Sequence, residues 1–176
     1  MAYQIRLVRP HDAPGVVRVV QAVYDEYGFT WDESGYHSDL YDLTEYCDPL
    51  MARFWIAEAT NGQIVGCGGV AFHAETPGEL GSTALEEGTV RVSRTSAEVI
   101  RMYVHPDARR QGIATEIFER ILDETPGQNL EIWSDKKFID AHRLYESFGA
   151  VRVGERICDD PDEAPEWGFL LKNFGD

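Results

Sequence analysis

The first residues alternate. Tyr3, Ile5 and Leu7 are separated by polar positions, a period of two that predicts a strand. Asp12 then stands where an N-cap would, with Pro14 in the first turn. Val16, Val19, Val20, Val23, Tyr24 and Tyr27 follow at helical spacing. Residues 28–49 are acidic and aromatic, holding Phe29, Trp31, Tyr36, Tyr41 and Tyr46, and read as a loop with a short helix near 39–46. Two apolar runs, 54–59 and 64–72, flank Asn61-Gly62, the strongest short hairpin signal, so they are predicted to be antiparallel neighbours.

Residues 73–97 carry no clear period and exceed the ~12–15 residues of an ordinary connection. Val90 and Val92 alternate with charges there, which predicts part of an extra strand. Order returns with a strand over 99–104, stopped by His105-Pro106, because the residue before proline is held extended and proline has no N–H. A helix follows, with Ile113, Ile117, Phe118, Ile121 and Leu122 on one face and an end at Thr125-Pro126-Gly127. Residues 130–133 form another strand, and this strand–helix–strand spacing predicts a right-handed parallel crossover. A helix over about 136–148, apolar at Phe138, Ala141, Leu144, Tyr145 and Phe148, is capped by Gly149. Strands over 151–158 and 167–172 close the chain around an acidic turn. The pattern is an α/β domain on a mixed sheet, without internal repeats.

Composition narrows the picture. The chain has 176 residues, 43% of them apolar, which fits a single domain over 1–176 with one core. The run IVGCGGVAF is far shorter than the ~20 residues that span a bilayer. The N-terminus has no apolar signal region. A soluble cytoplasmic protein without a membrane partner is expected. Sixteen basic residues against 31 acidic ones give a net charge of -15. A field of that sign opposes nucleic-acid binding. Cys47, Cys67 and Cys158 are far apart, and the five histidines show no ligand spacing, so neither a disulfide framework nor a metal is expected. The cysteines read as small buried hydrophobes.

Candidate chemistry concentrates in Arg109-Arg110-Gln111-Gly112-Ile113-Ala114, where a strand has ended and a helix begins. A helix N-terminus offers unpaired N–H groups and partial positive charge. Gly112 allows close approach of the backbone, and the two arginines add cationic reach. Pyrophosphate binding is the chemistry implied.

With those residues in place, the chain resembles the GCN5-related N-acetyltransferase (GNAT) family. The resemblance rests on RMYVHPDARRQGIA, where Arg109, Gly112 and Ala114 are similar to the family's acetyl-CoA loop Q/R-x-x-G-x-G/A. It rests also on AHRLYESFGA, where Ala141, Leu144, Tyr145, Glu146 and Gly149 are similar to A-x-x-L-Y-E-x-x-G-F. Phe138 and Ala150 depart from that pattern, standing where Asn and Phe are usual. The resemblance implies a mostly antiparallel sheet of about seven strands with flanking helices and one parallel β-α-β crossover. Residues 74–97 are then a long insertion between the third and fourth strands.

The resemblance further implies an acetyl-CoA-dependent N-acetyltransferase, without a metal, acting on the primary amine of a small or amino-acid-like acceptor in a ternary complex. The alternatives are a protein or peptide N-acetyltransferase, or a non-catalytic acyl-CoA-binding module; monomer and homodimer both stay open. By resemblance, Met102, Tyr103 and Val104 border the backbone N–H that polarises the thioester. Arg109, Arg110, Gln111, Gly112, Ile113 and Ala114 hold the pyrophosphate. Tyr145 is the candidate general acid for the departing thiolate. Glu98, eleven residues before Arg109, is the candidate base, directly or through water. Tyr24 and Trp31 belong to the candidate acceptor wall. Arg101, expected to face opposite to Ile100 and Met102, is the candidate partner of an acceptor carboxylate. His105 and His142 read as structural or solvated.

Overall fold

The computed structural model describes residues 1–174. Strand β1 (Tyr3–Leu7) leads through a 3-10 turn into helix α1 (Ala13–Tyr27). The acidic aromatic stretch holds a 3-10 turn (Ser38–Tyr41) and the one-turn helix α2 (Thr44–Cys47). Strands β2 (Ala52–Ala59), β3 (Ile64–Phe72), β4 (Thr83–Glu86), β5 (Thr89–Val92) and β6 (Ala97–Val104) precede helix α3 (Ile113–Glu124). Strand β7 (Gln128–Asp135), helix α4 (Ile139–Ser147) and strands β8 (Val151–Ile157) and β9 (Pro165–Asn173) complete the chain. Seven strands form one mixed sheet, while β4 and β5 pair separately. β6 and β7 are parallel; the pairs β1–β2, β2–β3, β7–β9 and β8–β9 are antiparallel. This is the α/β class and the strand–helix–strand pairing that the hydrophobic pattern predicts.

Two compact units divide the chain, the first being Met1–Ala71 with Ile100–Glu124. Its core is the face of α1 that periodicity selects. Val16, Val19, Val20 and Tyr24 are buried with Phe54 and Ile56 of β2 and Cys67 of β3. Each such side chain removed from water contributes about 1.5–3 kcal/mol. The glycines of β3 make room for what lies on it. A Cβ at Gly66 would stand 2.7 Å from Ile113 Cγ2, and one at Gly68 would collide with the Met102 sulfur. Asp12 does precede α1, but its carboxylate accepts from Arg6 and from the Arg9 N–H instead of capping the helix. Leu7 is exposed rather than inward, because alternation lapses at the end of this outer strand. Cys47 is exposed too, unlike the buried Cys67 and Cys158, which corrects the expectation that all three are core residues.

The second unit comprises Phe72–Val99 with the chain from Thr125 onward. Here β6 pairs with β7 through Ala97–Leu130, Glu98–Glu131 and Val99–Ile132. The long connection is more ordered than its composition predicts, forming the complete antiparallel hairpin β4–β5. It is tied down at polar points: Thr76 donates to the Val92 carbonyl, and the Thr95 N–H donates back to the Thr76 hydroxyl. Glu131 of β7, fully buried, accepts from Arg91 Nε at 2.6 Å, the Val92 N–H at 2.8 Å and Trp133 Nε1 at 2.9 Å. Burial alone would push this carboxyl up, yet the donors from His73, Arg91, Val92 and Trp133 hold it at about 2. Among the described residues no helix is long and apolar enough to cross a membrane.

Candidate active site

The loop between β6 and α3 is shaped by two left-handed residues, Arg110 at φ 63° and Gly112 at φ 86°. Left-handed residues spaced along a turn aim successive N–H groups at one concavity, a backbone nest for anions. The first-turn N–H groups of α3 adjoin it. A Cβ at Gly112 would have room, its nearest neighbour being Tyr3 Oη at 3.6 Å. Conformation, not space, therefore asks for glycine. The loop is braced where Tyr3 Oη donates to the Gln111 carbonyl at 3.2 Å. Gln111 Oε1 is buried with no hydrogen-bond partner among the described residues, and as an acceptor it offers nothing to a phosphate. The two arginines differ. Arg109 donates to Glu26 at 2.9 Å and to the Val104 carbonyl at 3.4 Å. Arg110 is exposed and makes no ion pair among the described residues. The left-handed turn, the first amides of α3 and Arg110 fit the phosphates of a CoA thioester.

Strand β6 departs from plain alternation. Arg101 sits at φ 49°, a left-handed residue inside a strand, so the expected two-sided alternation of Ile100, Arg101 and Met102 does not hold there; we refer to this local kink as the β6 bulge. Its carbonyl accepts from Cys67 Sγ at 3.4 Å. Its guanidinium donates to both oxygens of Asp39, at 2.7 and 3.0 Å, and to the Tyr36 carbonyl at 2.7 Å. The side chain is only 13% exposed, so it is neither a surface pair nor an open cation. Burial would lower its pKa, but Tyr103, Asp39 and the nearby tyrosines raise it, and the group stays charged.

Tyr103, next but one, lies 6.2 Å from the ring of Tyr24, which in turn meets Trp31 edge-on at 5.7 Å. At the centre of this cluster His37 stacks on Trp31 at 4.0 Å. His37 Nδ1 accepts from the Asp32 N–H, and burial with the Arg101 charge brings its pKa down to about 4, so the ring is neutral. Its Nε2 is buried without a hydrogen-bond partner among the described residues. His37, Asp39 and Glu26 escape a reading of the sequence, whose hint is the density of acids and aromatics around them, Tyr36 included.

Glu98 and Tyr145 belong to the second unit. Glu98 stands beside Glu131 in the β6–β7 register, with Arg91 Nη2 at 3.6 Å and Arg156 Nη2 at 4.0 Å. Burial and the charge of Glu131 push its carboxyl above the ordinary range, against the pull of Arg156, Arg91 and His73. Tyr145 is buried on α4, edge-on to Phe169 at 5.9 Å. The N–H groups of Phe148 and Ala150 close on its carbonyl, and Gly149 at φ 95° ends the helix. His142 is buried against Ser134 Oγ and the Asp135 carbonyl, a structural role. His105 Nδ1 accepts from the Asp107 N–H in the turn after β6.

Residues 18–150 match the model of the Acetyltransferase (GNAT) family. The chain belongs to the GNAT family. It is an acetyltransferase by that membership, and the solved structures with which it shares a fold agree. One is an acetyltransferase of the GNAT family from Staphylococcus aureus Mu50, 14% identical, with a TM-score of 0.71 over 98% of this chain and 99% of that one. Another is yncA, a putative acetyltransferase from Salmonella typhimurium with its cofactor acetyl-CoA, 15% identical, with a TM-score of 0.68 over 100% and 96%. A third is the ribosomal-protein-S18-alanine N-acetyltransferase of Escherichia coli, 18% identical, with a TM-score of 0.65 over 99% and 96%. No curated protein matches the chain in sequence.

Within this GNAT acetyltransferase the first unit packs Tyr24, Trp31 and Tyr103 in one cluster and also holds Arg101, Met102 and Val104, and its residues 109–114 follow β6 after a 3-10 turn (Pro106–Ala108). Among the described residues no three His, Cys, Asp or Glu side chains group as a metal site.

Proposed function

We propose that this GNAT member transfers an acetyl group from acetyl-CoA to the primary amine of a small-molecule or amino-acid-like acceptor, by direct attack in a ternary complex. The observation that carries the reading is the loop 109–114, with its two left-handed residues, its adjoining helix N-terminus and its unpaired Arg110. The nest and the α3 amides hold the pyrophosphate, and a backbone N–H at 102–104 faces the thioester carbonyl. Fixed backbone donors aimed at developing charge are often the largest single catalytic contribution. Glu98 takes the proton that the amine sheds as its nitrogen bonds to the acetyl carbon, directly or through water. The carbon–sulfur bond breaks, and the Tyr145 hydroxyl gives its proton to the departing sulfur.

Tyr24 and Trp31 form the acceptor wall. Residues 25–48 hold eight Asp and Glu and no Lys or Arg, and the Arg101 guanidinium beside them is already engaged by Asp39. A cationic amine suits that surface better than a carboxylate does. A protein N-terminus is the second reading, favoured by the likeness in fold to the S18-alanine N-acetyltransferase.

The test is thermal unfolding with acetyl-CoA, with desulfo-CoA and ATP as controls, followed by thiol release with diamines and with a short peptide. Ligand at 100 times its Kd adds about 2.7 kcal/mol. For a domain of this size that raises Tm by roughly 5–10 °C. A rise specific to CoA with thiol release supports the transferase. A rise without release from any amine points to an acyl-CoA-binding module, and no rise at millimolar acetyl-CoA removes both.

A further inference from the structure

Arg101 holds a left-handed backbone conformation that is uncommon for a non-glycine residue and, unlike that of Arg110 in its turn, lies inside a strand. Its side chain is held at several points. Asp39 receives it through both oxygens, the Tyr36 carbonyl takes a third bond, and the Tyr36 ring lies 4.8 Å beneath the guanidinium. Asp39 is itself held by the hydroxyl of Tyr46, whose ring stacks on Phe54 at 4.8 Å. On the other side the Arg101 carbonyl is fixed by Cys67. A chain of contacts thus runs from β2, through the acidic aromatic segment, to the one strained residue of β6.

We infer that Asp39 is a positioning residue: acting through Arg101, and seconded by Tyr46, it latches the β6 bulge so that the N–H groups of residues 102–104 point where the acetyl-transfer site needs them. A bidentate carboxylate–guanidinium pair fixes direction as well as distance, which one hydrogen bond does not. The catalytic consequence rests on the transferase reading above, whereas the latch itself does not.

The experiment therefore has two readouts. Backbone amide resonances of Tyr103 and Val104 in the free protein report the bulge, and kcat with KM for acetyl-CoA report its use. For Asp39→Asn we expect both amides to shift and kcat to fall at least 10-fold, with KM for acetyl-CoA within twofold. Adding Arg101→Gly returns the amides towards their wild-type positions, because glycine adopts positive φ without a latch. Tyr46→Phe keeps the ring and loses the hydroxyl's bond to Asp39 together with its contact to Arg101, while the carboxylate–guanidinium pair stays, so it moves the same amides less, and it decides the matter if Asp39→Asn does not fold. Amides unmoved in Asp39→Asn, or in Tyr46→Phe where that variant decides, overturn the latch. So does a glycine that fails to return them. If the wild-type chain transfers no acetyl group while the amides respond as expected, the latch stands and the transferase reading falls.

Discussion

A carboxyl that is to accept a proton near neutral pH has to be held above its ordinary range, and Glu98 is held there by burial and by Glu131 against two arginines. If Glu98 is the base proposed above, it works only when ionised, and activity is expected to fall as pH drops through its pKa. Because that pKa is raised, the acidic limb of the kcat profile is expected above the ordinary carboxylate range. Glu98→Gln should remove the limb and lower kcat by roughly 10²-fold or more. A limb left in place would return Glu98 to its part in the charge network with Arg91 and Arg156. Tyr145 poses the opposite question, since a buried ring against Phe169 is also what a core aromatic looks like. Tyr145→Phe preserves that packing and deletes the proton. Turnover should drop by roughly 10²–10⁴ with little change in acetyl-CoA affinity. Undiminished turnover would make the residue part of the core alone.

Elements differ in how plainly the sequence announces them, and the difference is physical. Helix α3 and the β2–β3 hairpin were legible because a buried face has a period and Asn61-Gly62 has turn chemistry. The loop 109–114 was legible because its glycine is demanded locally. The β4–β5 hairpin was half hidden, as strands of four residues are too short for alternation to establish itself. The bulge at Arg101 was invisible. A left-handed arginine leaves no compositional mark, and its partner Asp39 lies 62 residues away. The same reasoning makes Gly112 the most instructive substitution in the loop. Alanine fits the space but not the φ of 86°, at a cost of about 1–3 kcal/mol if the conformation is kept. We expect Gly112→Ala to fold and to bind acetyl-CoA at least fivefold more weakly by calorimetry. Equal affinity would mean that the nest is not what holds the phosphates.

For the whole molecule, the net charge of -15 acts in opposite senses on the two substrates proposed above. A CoA thioester is a polyanion and approaches against the field, and on the proposed reading Arg110 and the α3 N-terminus help it locally. A cationic amine is drawn in by the same field, and the carboxylates of residues 25–48 strengthen that pull. Screening acts on both. The Debye length falls from about 30 Å at 0.01 M salt to about 8 Å at 0.15 M, which removes most of the long-range contribution. Raising salt across that range should therefore lower KM for acetyl-CoA and raise KM for a dicationic acceptor, each by about threefold. A zwitterionic acceptor, with no net charge to steer, should show little change. The opposed signs separate this account from a general effect of salt on stability, which would move both constants together. If the two KM values rise or fall in parallel, the global field does not govern access, and the case for a cationic acceptor loses its electrostatic support.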